Sequence, residues 1–173
     1  MKTLILGGVR SGKSALAESL ARESDLTVVY VATATAADPE MYRRIEEHRR
    51  RRPSHWPCVE EPLHLAAALQ THARLRRCLL VDCLTLWLTN LLLADSGDLL
   101  ERECGSLVQC LPALPGEVIL VSNETGLGIV PLGEINRRFC DQAGRLHQRL
   151  AQTCERVILT VAGLPQVLKG EPL

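Results

Sequence analysis

The sequence predicts an α/β fold in which helices cover a mostly parallel sheet. Short runs rich in β-branched and apolar residues alternate along the chain with longer segments of helical periodicity, which is typical of this class. At 173 residues, 46% of them hydrophobic, the chain is long enough for one well-buried core and too short for two ordinary domains to be expected. We therefore predict a single domain over residues 1–173.

The predicted elements follow one another in this alternating order. The strands are Thr3–Leu6, Thr27–Ala32, a weak one at Pro57–Glu60, Cys78–Asp82, Glu117–Ser122 and Arg156–Ala162. The helices between them are Lys13–Glu23, Pro39–Arg51, Leu63–Arg76, Leu84–Ala94, Asp98–Leu111 and Leu132–Cys154. The prolines and glycine of LPALPGE, Leu111–Glu117, predict a loop.

Composition excludes several classes of function. The 20 basic and 20 acidic residues balance, which argues against general attraction to nucleic acid or to an acidic membrane surface. Aromatic residues make up 3% of the chain, too few for a nucleic-acid stacking platform. No secretory signal or clean apolar span is evident, so we expect a cytoplasmic protein without membrane insertion. The seven cysteines form no Cys-x-x-Cys pair, and we interpret them as buried free thiols.

A glycine-rich segment follows the first predicted strand. Its residues Gly7, Gly8, Val9, Arg10, Ser11, Gly12, Lys13 and Ser14 match the phosphate-loop pattern G-x-x-x-x-G-K-[ST]. Glycines let the backbone approach phosphate oxygens, and the following helix adds its positive N-terminal end. We expect Lys13 to contact the β- and γ-phosphates and Ser14 to ligate Mg²⁺. Arg10 either contacts phosphate or points to solvent.

Asp82 is the candidate second acidic group of a magnesium-nucleotide site. It follows three apolar residues in LLVD, so a buried strand would deliver its carboxylate to the C-terminal edge of the sheet, where ligands bind in open α/β folds. An aspartate before CLTLWLTN would also suit the N-terminal cap of the next helix. We favour the metal or catalytic role.

A basic run surrounds one histidine. Arg49, Arg50, Arg51 and Arg52 follow His48 directly, with Arg43 and Arg44 one turn before. Such a run is often a solvated helix face. The alternative is a second polyphosphate site, because guanidinium groups bind phosphate in a bidentate way and a neutral imidazole can attack phosphorus. Spacing alone does not choose between these interpretations.

Four segments together carry a family resemblance. GGVRSGKS, YVATA, RIEEHRRRRPSHW and NETGLGIVP resemble the bifunctional adenosylcobinamide kinase and adenosylcobinamide-phosphate guanylyltransferase family of cobalamin biosynthesis. The resemblance implies a RecA-like P-loop NTPase-type domain, commonly a homotrimer. It also implies phosphorylation of adenosylcobinamide with ATP or GTP, and then transfer of GMP from GTP to adenosylcobinamide phosphate through a guanylyl-histidine.

The resemblance assigns further residues. The nucleotidylated histidine falls on His48, with His55 a weaker candidate. Ala32, Thr33 and Ala34 would line the nucleotide pocket, Arg49–Arg52 would face the polyphosphate, and Glu60 and Asp82 would bind the guanosine or its metal. Glu60 is equally well interpreted as a surface acid.

Several features remain open or are given no site role. The loop Asn123–Pro131 would shape either the corrinoid site or a subunit contact. We interpret His64, His72 and His147 as surface or boundary packing residues, and Trp56 and Trp87 as core or interface residues. The alternatives to the two-step enzyme are a single-activity small-molecule kinase and a nucleotide-dependent binding switch.

Overall fold

A computed structural model describes residues 1–35, 42–43, 45–46, 49–50, 52–94 and 97–173 of the chain. Its strands are β1 Lys2–Gly7, β2 Thr27–Ala32, β3 Cys58–Glu60, β4 Arg77–Asp82, β5 Glu117–Asn123, β6 Arg156–Val161 and β7 Leu164–Lys169. Its helices are α1 Lys13–Glu23, α2 Leu65–His72, α3 Leu84–Leu93, α4 Leu99–Cys110 and α5 Glu134–Thr153, with a 3₁₀ turn at Leu111–Ala113. Tyr42, Arg43, Ile45, Glu46, Arg49 and Arg50 are also helical. These elements confirm the predicted α/β fold.

The strands form one sheet in the order β3-β2-β4-β5-β1-β6-β7. Every neighbouring pair is parallel except β6 and β7, which are antiparallel. Because parallel strands end at the same edge, the residues after β1 to β6 gather at the C-terminal edge of the sheet. This edge holds the phosphate loop.

Strand β7 was not predicted from the sequence. Its two leucines, Leu164 and Leu168, are 72% and 55% exposed, so the apolar alternation of a buried strand is missing. Pro165 cannot donate to a strand ladder, and proline is tolerated in a sheet mainly on edge strands. Ala162 and Gly163 form the tight turn from β6, both with positive φ (52° and 81°).

The sheet buries a different set of side chains on each face. One face packs against α2, α3, α4 and α5 through residues such as Leu79, Val81 and Leu120. The other face packs against α1 and Trp56 through Ile5, Leu80 and Val121. We call these the four-helix face and the α1 face. The alternation along each strand explains how one continuous apolar run serves both cores.

The predicted core position of the two tryptophans is confirmed. Trp87 is fully buried and Trp56 is 6% exposed, as core residues would be. All seven cysteines are free, but the interpretation of buried thiols holds for four of them; two are half-buried, and for Cys58, which is exposed, it was wrong. Within the described residues, no helix combines the length and apolarity needed to cross a membrane.

Candidate active site

The phosphate loop connects the end of β1 to the first turn of α1. Gly12 occupies the N-cap of α1 with φ at 94°, a conformation that side chains disfavour. A Cβ at Gly7 would lie 2.6 Å from the carbonyl oxygen of Thr160, so only glycine fits there. The loop is held from two sides, because Gly163 N–H donates to Ser11 O at 2.9 Å and Glu124 N–H donates to Gly7 O at 3.0 Å. The β6–β7 turn is therefore part of the loop's support.

Lys13 lies in the first turn of α1 and is 9% exposed. Its ammonium donates to Gly8 O at 3.1 Å, so the side chain folds back over the loop. Burial lowers the pKa of Lys13 from its ordinary value, and the nearby Cys83 and Asp82 oppose that shift. The lysine therefore faces the end of β4, as a phosphate-binding cation between the loop and Asp82 should.

Asp82 ends β4 and is oriented by a tyrosine from the neighbouring strand. The hydroxyl of Tyr30 donates to Asp82 Oδ2 at 3.1 Å. Tyr30 belongs to the core of the α1 face, so Asp82 also points to the face that carries Lys13. Burial, reinforced by the Asp82 charge, raises the pKa of Tyr30 above its usual range, which keeps the phenol protonated. The N-cap residue of α3 is Cys83, not Asp82, and it is joined to Asp82 by a cis peptide bond.

Residues after β2 connect this strand to β4. Thr33 is fully buried, and its hydroxyl donates to Cys83 O at 2.7 Å while accepting from Cys83 N–H at 2.9 Å. Ala32 is half-buried and Ala34 is half-exposed at the same edge. The Thr33 side chain thus holds the ends of two strands together beside the site, which is a different task from lining an open pocket.

The basic segment reaches the same edge through Arg52. Its guanidinium lies 4.4 Å from the centroid of the Tyr30 ring, and one of its nitrogens donates to Cys58 Sγ at 3.2 Å. Arg49, by contrast, has a side chain that is 72% exposed and pairs with Glu46 at 3.6 Å. Arg50 is also exposed. His48 and Arg51 lie outside the described residues.

Glu60 ends β3 at the same level as Asp82. Ala32 is in register with both residues, so their backbones are two strands apart, about 10 Å. The side chain of Glu60 is exposed. Both carboxylates therefore belong to one edge, although they do not form a single cluster.

The donor chemistry fits a nucleotide carrying Mg²⁺. This ion is usually bound by one or two carboxylates, a loop hydroxyl and the phosphates themselves. Asp82 and the half-exposed Ser14 supply such oxygens, while the described residues contain no group of three His, Cys, Asp or Glu side chains that could hold a metal alone. In addition, Ser11 Oγ is buried and has no hydrogen-bond partner among the described residues. A hydroxyl donor is thus available inside the loop.

A second network, on the four-helix face, was missed in the sequence. His147 is 7% exposed, and its Nε2 lies 2.8 Å from Ser122 Oγ. Its Nδ1 is 3.9 Å from Glu124 Oε2. Burial lowers the pKa of His147, and the Glu124 charge opposes this shift. The interpretation of His147 as a surface or boundary residue was therefore wrong.

The network continues into α3. Ser122 Oγ lies 3.5 Å from Thr85 Oγ1, which accepts a hydrogen bond of 2.7 Å from the N–H of Asn123. The signal that could have found it is the spacing of Ala143, Leu146 and Leu150 around His147, which places the histidine on the apolar stripe of α5. His64, in contrast, is a surface residue whose Nδ1 lies 3.0 Å from Glu103 Oε1.

The segment after β5 exposes apolar side chains beside these networks. Leu127, Ile129 and Val130 are 80%, 98% and 70% exposed, and Leu132 beyond them is 98% exposed. At the start of the segment, Gly126 N–H donates to Glu124 Oε1 at 2.5 Å. The root of the loop is therefore fixed to the sheet edge while its apolar tip faces outward.

The fold and this edge define a P-loop NTPase-type protein with a RecA-like sheet. The flagellar accessory protein FlaH from Methanocaldococcus jannaschii superposes with a TM-score of 0.58 at 15% identity, over 98% of this chain and 78% of that one. The RadB recombinase superposes with a TM-score of 0.54 at 18% identity, over 91% and 73%. At these identities the likeness concerns the fold.

The sequence places the chain within that class. A family model described as cobinamide kinase / cobinamide phosphate guanyltransferase matches residues 3–168, and the chain belongs to this family. It is 66% identical, over the full length of both, to the bifunctional adenosylcobalamin biosynthesis protein CobP of Pseudomonas aeruginosa. It is 38% identical to the bifunctional adenosylcobalamin biosynthesis protein CobU of Escherichia coli, over 98% of this chain and all of that protein. The resemblance stated from the four sequence segments is confirmed.

Proposed function

We propose that this chain carries both activities of its family, phosphorylating adenosylcobinamide with ATP or GTP and then transferring GMP from GTP to the phosphorylated product. The observation that supports two nucleotide reactions at one edge is the position of Arg52. Its guanidinium covers Tyr30, which bonds to Asp82, and Asp82 faces Lys13. Arg52 of the basic segment thus lies at the phosphate-binding edge, whereas Arg49 and Arg50 are exposed.

The kinase step uses the phosphate loop. The loop N–H groups and Lys13 would hold the β- and γ-phosphates, so that the hydroxyl of the aminopropanol arm attacks the γ-phosphorus and the nucleoside diphosphate leaves. Ser14 and Asp82 would hold Mg²⁺, whose positive charge would offset the charge that develops on the leaving oxygens. Lys13 stabilises the same charge from within the chain.

The guanylyl step needs a nucleophile, and we assign it to His48, which lies outside the described residues. The neutral imidazole nitrogen attacks the α-phosphorus of GTP, the bond to the β-phosphate oxygen breaks, and pyrophosphate leaves. A phosphate oxygen of adenosylcobinamide phosphate then attacks the same phosphorus and frees the histidine. Arg49 to Arg52, with Glu60, would hold the polyphosphate and the guanosine.

His55 is the second candidate nucleophile. It is exposed in the turn before β3, with its ring centroid 6.4 Å from that of Trp56. A single-activity kinase and a nucleotide-dependent switch remain the alternative functions, because a phosphate loop serves all three.

The exposed apolar segment 123–131 supports either of two roles. A neighbouring subunit of a homotrimer would bury Leu127, Ile129 and Val130, and a corrinoid ring would cover them equally well. Mass measurement by light scattering after size exclusion, with and without the corrinoid, distinguishes the two. A trimer in which Ile129→Ser causes dissociation supports the subunit contact.

Covalent labelling tests the proposed function. The parent protein, His48→Ala and His55→Ala are incubated with α-³²P GTP and Mg²⁺, denatured, and treated separately with acid and base. We expect acid-labile, base-stable label on the parent and on His55→Ala, and none on His48→Ala, which should still phosphorylate adenosylcobinamide. Label on His48→Ala would move the nucleophile elsewhere, and an unlabelled parent would leave the single-activity kinase.

A further inference from the structure

Tyr30 contacts the proposed metal-binding carboxylate, and no part of the reactions described above uses it. We propose that Tyr30 is a positioning residue for Asp82: its hydroxyl fixes the orientation of the carboxylate, and its ring fixes Arg52 beside it. This inference rests on the proposed function of Asp82. It extends that function by naming a group that helps to hold the carboxylate in place.

The geometry allows Tyr30 to act on one oxygen of the carboxylate. In the β2–β4 register Tyr30 pairs with Leu80, so its side chain lies diagonal to Asp82 on the same face of the sheet. Its hydroxyl reaches Asp82 Oδ2 at 3.1 Å. The torsion of an aspartate carboxylate is broad in the absence of such a contact. A donor that engages Oδ2 therefore selects one rotation of the group.

The tyrosine itself has little freedom to move. It is 6% exposed within the core of the α1 face, and Arg52 covers its ring at 4.4 Å from the centroid. A buried aromatic ring beneath a guanidinium provides a rigid platform. One side chain thus contacts both the carboxylate of the kinase site and an arginine of the basic segment that follows His48.

The contact between Tyr30 and Asp82 should affect metal binding rather than nucleotide binding. In the proposed function the loop and Lys13 hold the phosphates, and neither forms a hydrogen bond with Tyr30 among those of the described residues. Mg²⁺ demands near-ideal octahedral geometry, so a carboxylate that rotates away from its position is a poorer ligand. Loss of the hydroxyl should therefore change the magnesium dependence of nucleotide binding more than it changes nucleotide binding itself.

Equilibrium binding of a fluorescent GTP analogue tests this inference. Affinity is measured first in EDTA and then across a MgCl₂ titration, for the parent, Tyr30→Phe and Tyr42→Phe. Phenylalanine keeps the ring and its contact with Arg52, and Tyr42, the second tyrosine of the chain, is 58% exposed and serves as the matched control. For Tyr30→Phe we expect at least about a tenfold higher half-saturating Mg²⁺ concentration and less than about a twofold change of affinity in EDTA, as loss of one hydrogen bond to a charged group implies.

A double-mutant cycle separates positioning from a general structural effect. If Tyr30 acts through Asp82, Tyr30→Phe should add nothing to Asp82→Asn, whereas a structural defect would add in both backgrounds. The inference is overturned if Tyr30→Phe has the parent's magnesium dependence, needs less Mg²⁺, loses affinity equally in EDTA, or is additive with Asp82→Asn. If Asp82→Asn itself leaves the magnesium dependence of the parent unchanged, the proposed role of Asp82 fails, and the positioning role fails with it.

Discussion

At the C-terminal edge of the sheet, the side chains on the α1 face differ in chemistry from those on the four-helix face. On the α1 face, the edge carries charged groups, with Lys13 and Asp82 beside each other and Arg52 stacked on Tyr30. On the four-helix face, the same edge carries a chain of the buried His147 and Ser122 and the half-buried Thr85, in which burial lowers the pKa of the histidine and so favours its neutral form.

This contrast indicates that the two faces have different roles. Charge is placed where phosphate and metal would bind, since buried charges are costly unless they meet a partner. The His147 network instead holds the backbone in place, because Thr85 accepts a hydrogen bond from Asn123 N–H, and the N–H of the next residue, Glu124, donates to Gly7 O. We therefore expect substitutions on the α1 face to change catalysis and substitutions on the four-helix face to change stability.

The largest effect should come from Lys13→Ala. The ammonium lies at the phosphate loop, and loss of a positioned cation from a phosphoryl-transfer site should lower the kinase kcat/KM by about 10²-fold or more. The assay is transfer of γ-³²P to adenosylcobinamide. Lys169→Ala is the control, because Lys169 is exposed on edge strand β7 and bonds the carbonyls of Ala151 and Gln152. Normal kinase activity of Lys13→Ala would disprove the assignment.

Asp82→Asn should produce the next largest change. The amide keeps the size of the side chain but is a poorer ligand for a hard cation, so kinase activity should fall by roughly tenfold at fixed Mg²⁺ and the required Mg²⁺ concentration should rise. The control is Asp98→Asn, since that side chain is 82% exposed. Unchanged metal dependence combined with a lower melting temperature would assign Asp82 a structural role at the start of α3.

Ser122→Ala tests the four-helix face. It removes the hydroxyl that lies between His147 and Thr85, and a buried polar group left without its partner costs about 1–3 kcal/mol of unfolding free energy. Urea denaturation should report this loss, with Ser54→Ala, an exposed turn residue, as the reference. If Ser122→Ala unfolds like the parent while both activities collapse, the division between the two faces is wrong.

The smallest effect should be a change in the pH dependence of stability at His147. Its pKa is lowered on folding, so the unfolded chain binds a proton before the folded chain does as the pH falls through 6.5, the ordinary value. The contribution of His147 to the free energy of unfolding is thus fully present above that pH and decreases below it. His147→Gln should remove part of the decline between about pH 7 and pH 5 in thermal melts. An unchanged slope would contradict burial of a neutral imidazole.

The fold was predictable because its signals are local. Helix α1 has the predicted bounds, Lys13–Glu23, since a glycine-rich loop precedes an alanine-rich segment in which Ala17 and Ala21 share the buried face. Strand β4 reads as a buried strand because four consecutive apolar residues precede Asp82. Strand β7 carries neither signal, since one side chain, Val167, packs against the core and the rest are exposed.

The candidate site could be located from the sequence where one motif contains its residues. Gly7 to Ser14 are contiguous, so their pattern identifies the loop, and Asp82 follows from the end of a strand. Tyr30 and Thr33 form hydrogen bonds between neighbouring strands. Their partners, Asp82 and Cys83, are about fifty positions away in sequence. The periodicity of the sequence does not predict such contacts, because they depend on the pairing of β2 with β4, which only the folded sheet defines.

Cys58 offers a site for chemical labelling beside Arg52 and Tyr30. Of the seven thiols it is the exposed one, and its sulfur accepts a hydrogen bond from Arg52. The other thiols are protected to different degrees by burial, which for Cys83 also raises the pKa to about 11 and suppresses the reactive thiolate. A maleimide dye would therefore attach first at Cys58, one strand away from Tyr30. Its emission would report, in a stopped-flow cell, whether the surroundings of Arg52 change when nucleotide is added.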